Sequence, residues 1–187
     1  MTRYELLLFI HVMAAIVWLG SATAVQYFAV RASRAADPME MHRVVRDAEW
    51  LAMRLFVPSS LVVLIVGLLL VFDGPWSFDQ LWITLGLVGY LFSFFVGILF
   101  LSPESGRIAK LIEERGPADV AVLARIRRIL AVSRFELAVL FAVVLDMVVK
   151  PTADDGWFFV LAAAILVAGA LLALASYRPA RAASDLA

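Results

Sequence analysis

Five ionisable side chains fall within or at the ends of long apolar runs: His11, Arg54, Glu136, Asp146 and Lys150. Such groups are costly in hydrocarbon and count as functional candidates by default. His11 has the widest chemical reach, because a neutral imidazole can ligate haem iron, bind another metal or relay protons. It lies about 9–10 Å into its helix at 1.5 Å rise per residue. Ala15, Trp18, Ala22 and Gln26 follow it at helical spacing, and a stripe of small and polar residues predicts a face turned toward other helices rather than lipid. The structural alternative for His11 is a buried histidine hydrogen-bonded to a neighbouring helix.

The other four read most simply as two ion pairs. Arg54 and Glu136 sit near the inner ends of their helices at similar depth, which predicts a bond between the second and fourth spans, or an arginine that snorkels to the interface. A proton relay at Glu136 needs a second intramembrane acid, and the inner half offers none. Asp146 and Lys150 are four residues apart with the acid first, the favourable order for a pair on one helix face, just before Pro151. His11, Asp146 and Thr84 enter from the same side and outline a polar pocket open to the outside. Met13 and Met147, the nearby soft ligands, read as packing, and His42 reads as solvated. With no cysteine, disulfides, thiolate metal sites and cysteine nucleophiles are excluded. A phosphate-cradling glycine loop, a His-Glu-x-x-His and a nucleophile elbow are also missing from the sequence. Gly86, Gly89 and Gly97 are expected to allow close helix packing.

These residues must be positioned by a membrane bundle. Of 187 residues, 64% are apolar, where a soluble domain is nearer to half. The excess is gathered into five runs, at about 5–30, 51–72, 80–102, 134–150 and 157–177, each close to the length that crosses a bilayer as a helix. The expected fold is all-α, a single integral membrane domain over 1–187 with five transmembrane helices. Residues Arg31, Arg34, Arg43, Arg46, Arg54, Arg107, Lys110, Arg115, Arg125, Arg127, Arg128, Arg134, Arg178 and Arg181 share one side, against Arg3 and Lys150 on the other. The basic side is cytoplasmic, so the N-terminus is outside and the C-terminus inside. Tyr4, Trp76, Trp82 and Trp157 then mark the outer interface, and Tyr27, Trp50 and Tyr177 the inner one, while Trp18 and Tyr90 lie deep. Ala22-Thr23-Ala24 resembles a signal cleavage site, but the apolar run continues to Val30 and cleavage would invert the charge rule, so none is expected.

The inner connections read as helical. Asp37-Pro38-Met39-Glu40 offers a cap, a proline at the first helical position and a glutamate at N3. Gly116-Pro117 ends one helix and starts another, and Ile108, Leu111 and Ile112 then face Val122, Leu123 and Ile126 across a hairpin. The halves 1–76 and 80–157 share an order of elements that suits a parallel repeat. Zero net charge argues against nucleic acid as a partner; the expected partners are the lipid bilayer and either copies of this chain or other membrane subunits.

His11-x6-Trp18-x-Gly20, Arg54-Leu-Phe-Val-Pro58 and Asp146-Met-Val-Val-Lys150-Pro151 together resemble a bacterial family of predicted integral membrane proteins of unknown function, over about residues 5–151. That family is similar in turn to copper-resistance D-type membrane proteins and HemJ-type protoporphyrinogen oxidases. The resemblance implies a bacterial inner-membrane protein in which His11 is the axial ligand of a b-type haem and Trp18 lines its slot. It also matches Arg54 to a basic residue and Glu136 to an acid of the HemJ type. Thr84 stands where those enzymes carry a lysine, and the fifth span is additional, which argues against oxidase activity. Three function classes remain: a haem-binding redox protein, a non-catalytic membrane component or assembly partner, and a small transporter.

Overall fold

The computed structural model describes residues 1–34 and 38–175, and all its regular structure is helical. The elements are α1 (Arg3–Arg34), α2 (Pro38–Leu51), α3 (Val57–Asp73), α4 (Leu81–Val96), α5 (Ser102–Arg115), α6 (Val120–Val149) and α7 (Gly156–Ala175). A π-turn, Ala52–Phe56, joins α2 to α3 without a break, and a second, Gly97–Leu101, joins α4 to α5. Five long continuous helices result. The expectations placed on Asp37, Tyr177, Arg178 and Arg181, and on the side chains of Arg34 and His42, lie outside the described residues.

Four of these helices are long and apolar enough to cross a membrane: Arg3–Ala32, Arg43–Asp73, Leu81–Arg115 and Gly156–Ala175. Helix α6 has 30 residues, ample length for a crossing at 1.5 Å per residue, but its apolar part contains Arg134, Glu136 and Asp146. Large apolar side chains face outward along the bundle, Phe72, Leu99, Val148 and Val160 each being more than 70% exposed. Water would not tolerate so continuous an apolar girdle.

Local chemistry sets the helix ends. Thr2 and Glu5 form a reciprocal capping box, Thr2 N–H donating to Glu5 Oε2 at 2.8 Å and Glu5 N–H to Thr2 Oγ1 at 3.2 Å. Gly116 takes φ +83° to end α5, and Asp119 caps α6 by accepting from Ala121 N–H at 2.8 Å. Proline accounts for both π-turns. Pro58 and Pro103 each stand two residues beyond one of them, where a missing N–H and a ring pressed on the carbonyl four residues back disrupt α-helical bonding. The chain adapts by bonding one residue further back, Val57 N–H to Ala52 O and Ser102 N–H to Gly97 O.

Helix α1 packs along α3, α4 along α6, and α6 along α7, while α2 and α5 join α1 and α6 at one end. There Ala32, Val45, Ile108, Ile112, Val122 and Ile126 form a buried cluster. The expected hairpin thus forms through Ile108, Ile112, Val122 and Ile126, whereas Leu123 is exposed. At the opposite end Trp76 Nε1 donates to Tyr4 Oη at 3.0 Å, and Trp76 meets Trp82 edge to face. Gly86 and Gly89 do bring α4 against α6, a Cβ on them running into Met147 and Val143 respectively; Gly97 instead faces open space.

Candidate functional site

Between the halves of these helices nearer α2 and α5 lies a cavity of about 440 Å³. Trp18, Ala22 and Gln26 of α1 line one side of it, so the stripe read from the sequence does face the bundle. Both π-turns contribute to the wall, the first through Ala52, Met53 and Phe56 and the second through Gly97, Ile98 and Leu101. Met53 and Ile98 of this wall are among the exposed large apolar residues. The two aromatic residues too deep for an interface belt find their reason here. Trp18 meets Tyr90 edge to face at 5.6 Å, and Tyr90 Oη donates to the Ser60 carbonyl at 3.1 Å.

The polar groups of the wall are few. Glu136 is buried, and among the described lining residues it alone is ionisable. Ser93 lies beside it, 2% exposed, with its hydroxyl next to the Glu136 carboxyl. Gln26 donates through Nε2 to Ser133 Oγ, which leaves Gln26 Oε1 buried and unpartnered. Ser133 Oγ donates to the Leu130 carbonyl at 3.2 Å, and Ser60 Oγ to the Val57 carbonyl at 2.9 Å.

The expected pairing of Arg54 with Glu136 does not occur. Arg54 falls inside the first π-turn and stacks on Trp50, its guanidinium carbon 4.9 Å from the ring centroid, exposed at the bundle surface. The added residue of that turn rotates the next stretch of helix relative to a regular winding, which a constant 3.6-residue period does not anticipate. The pairing of Asp146 with Lys150 is also absent. Lys150 takes a left-handed conformation, φ 52°, which turns its side chain off the face of α6; Nζ lies 3.8 Å from the Trp76 ring centroid and 5.3 Å from that of Trp82. Both oxygens of Asp146 are buried without a hydrogen-bond partner, close to Gly86, where an added Cβ would lie 3.2 Å from Oδ2.

His11 lies outside the cavity. Its ring sits on Gly67 of α3, with Cε1 3.0 Å and Nδ1 3.4 Å from where a Cβ would stand, near the Val63 carbonyl, and Nδ1 is buried and unpartnered. Thr84 is exposed and donates to the Phe78 carbonyl at 3.4 Å. His11, Asp146 and Thr84 therefore occupy separate places, His11 in the α1–α3 seam and Asp146 in the α4–α6 seam. Haem held by His11 in a slot lined by Trp18 does not fit this arrangement. The imidazole is pressed to a neighbouring backbone, and the space that Trp18 lines has no histidine on its described wall. Among the described residues no group of three or more His, Cys, Asp or Glu is placed to hold a metal ion.

Gly67 and Ser93 escaped notice in the sequence, and so did the π-turns, although the two prolines carried their signal. Compared with known proteins, residues 5–151 match the family described as "Predicted integral membrane protein (DUF2269)". The match stops before α7. No curated protein and no solved structure matches the chain significantly.

Proposed function

Because the chain belongs to this family of predicted integral membrane proteins, we propose that it is a multi-pass protein that binds a small, largely apolar molecule inside the membrane. The observation that carries this reading is the cavity of about 440 Å³ with one buried acid and the unpartnered Gln26 Oε1 on its wall. Its volume falls within the rough 300–1,000 Å³ of small-molecule sites, which are apolar with a few convergent polar groups. A buried polar atom left unpaired costs about 1–3 kcal/mol, a cost that a bound molecule removes. The exposed Met53 and Ile98 on its wall suit entry from the bilayer.

In the same proposal α6 is the fourth of five spans in a bacterial inner membrane, with the N-terminus outside. Basic residues at the end that carries Arg31, Arg43, Arg107 and Arg125 support a cytoplasmic placing of that end. A carrier or binding subunit fits this site, whose described wall combines apolar side chains and a few serines with a single acid.

Four matched compounds test the reading: phenylbutylamine, phenylbutanol, phenylbutanoate and pentylbenzene. Thermal unfolding in detergent is followed for the wild type and for Gly97→Leu, whose side chain enters the open space of the cavity. At least one compound should raise the midpoint of the wild type and leave the variant unmoved. Equal shifts in both proteins for all four would overturn the reading. A haem site would announce itself as a Soret band in purified protein that disappears in His11→Ala, and that result too would displace the cavity as the working site.

A further inference from the structure

We propose that the molecule taken by this cavity is a lipophilic amine in its ammonium form, an apolar body whose N–H donors seat on Glu136 and Gln26. The inference rests on the cavity being the ligand site and names the chemistry of the molecule that enters it.

Several side-chain donors of the wall are spent on the protein: Gln26 Nε2 on Ser133, Ser133 Oγ on Leu130, and Ser60 Oγ on Val57; the hydroxyls of Ser102 and Ser105 also line it and can donate or accept. Its acceptors are not so spent: Gln26 Oε1 has no partner, and the described lining residues around Glu136 include no basic side chain. Ser93 Oγ, beside Glu136, can accept or donate. A ligand that satisfies such a wall brings donors, and one that satisfies a carboxylate in a dry site brings positive charge.

Among the described residues, three basic side chains of the surrounding helices are engaged away from Glu136. Arg54 stacks on Trp50, Arg125 bonds Glu104 Oε1 at 2.7 Å, and Arg134 Nη1 donates to the Leu172 carbonyl at 3.4 Å. An anionic ligand would therefore meet Glu136 with no compensating cation. Trp18, Phe56 and Phe94 complete the enclosure, and aromatic rings attract a desolvated ammonium group.

The four phenylalkyl compounds decide the matter without any change to the protein. Phenylbutylamine should bind the wild type in detergent most tightly, and phenylbutanoate most weakly, as read by isothermal titration. Glu136→Gln should weaken the amine about 30-fold or more, the loss typical of removing one partner of a buried charge pair, and leave pentylbenzene unchanged. Gln26→Leu gives a second reading should Glu136→Gln fail to fold, with a smaller loss confined to the amine and the alcohol. Pentylbenzene or phenylbutanoate binding as well as the amine, in a manner that Gly97→Leu abolishes, would overturn the amine and keep the cavity. Binding of all four that Gly97→Leu does not affect would overturn the cavity itself.

Discussion

Glu104 offers the sharpest stability test, because the structure ranks its two partners. Its side chain is 3% exposed, and it accepts from Arg125 Nη1 at 2.7 Å and from Arg107 Nη1 at 3.4 Å. The Arg125 side chain is 39% exposed and that of Arg107 is 66% exposed. A short charge-assisted bond to a buried acid is worth about 1.5–3 kcal/mol. A long bond to a solvated arginine three residues away on the same helix is worth about 0.5 kcal/mol. Replacing Arg125 by Met should therefore cost about 2 kcal/mol, somewhat below the 3–5 kcal/mol of a wholly buried pair, since Arg107 stays to meet the charge. Arg107→Met should cost about a quarter as much. In Glu104→Gln/Arg125→Met the uncompensated charge is gone, so a double-mutant cycle should show coupling of at least about 1 kcal/mol. Reversible unfolding in mixed micelles supplies the free energies. Equal costs for the two arginines, or additive effects in the cycle, would refute the ranking.

Arg54→Ala and Glu136→Gln should be additive within about 0.5 kcal/mol in the same assay, because the two side chains do not meet; a large coupling would restore the ion pair that the sequence suggested. Gly169→Ala should destabilise by about 1–3 kcal/mol, since its Cβ would run into the Ala138 Cβ, which cannot move aside; Gly97→Ala, facing open space, should be neutral or slightly stabilising. Asp155, in the connection between α6 and α7, accepts the N–H and the hydroxyl of Thr152 at 2.8 and 2.9 Å, bonds that hold its carboxyl below the usual carboxylate range. A depressed folded value means that this turn is held above the unfolded value of about pH 4 and loosens as pH falls below it. Amide-exchange protection at Thr152 should therefore drop from about pH 5 to about pH 3, and Asp155→Asn should remove that dependence.

The helices and the inward stripe of α1 were legible because each is a local pattern, a run of apolar residues or a spacing of three and four. The same holds for the start at Pro38 and for the hairpin through Ile108 and Val122. The features that could not be read depended on partners distant in the chain. His11 and Gly67 meet across two helices, and nothing in the spacing around His11 announces that its ring lies on a glycine fifty-six residues away. Both proposed ion pairs failed for local reasons, a left-handed residue at Lys150 and a wide turn around Arg54, each of which breaks the regular period on which the pairing was argued. Pro58 and Pro103 were visible throughout; their spacing from the helix irregularities was the available clue.

A π-turn holds one more residue than the regular helix it interrupts. The second and third long helices therefore each contain a surplus residue, and every side chain beyond it is advanced by about 100° around the axis. In Ala52–Phe56 and Gly97–Leu101 that surplus lies where the helix walls part around the cavity. The opening is thus written as chain length as much as in side-chain identity. Deleting one residue from each turn would remove the surplus and re-aim the helix beyond it, while hardly altering the hydropathy of either. Related chains of near-identical apolar content that differ by a single residue at these two places would divide into bundles with an internal chamber and bundles without one.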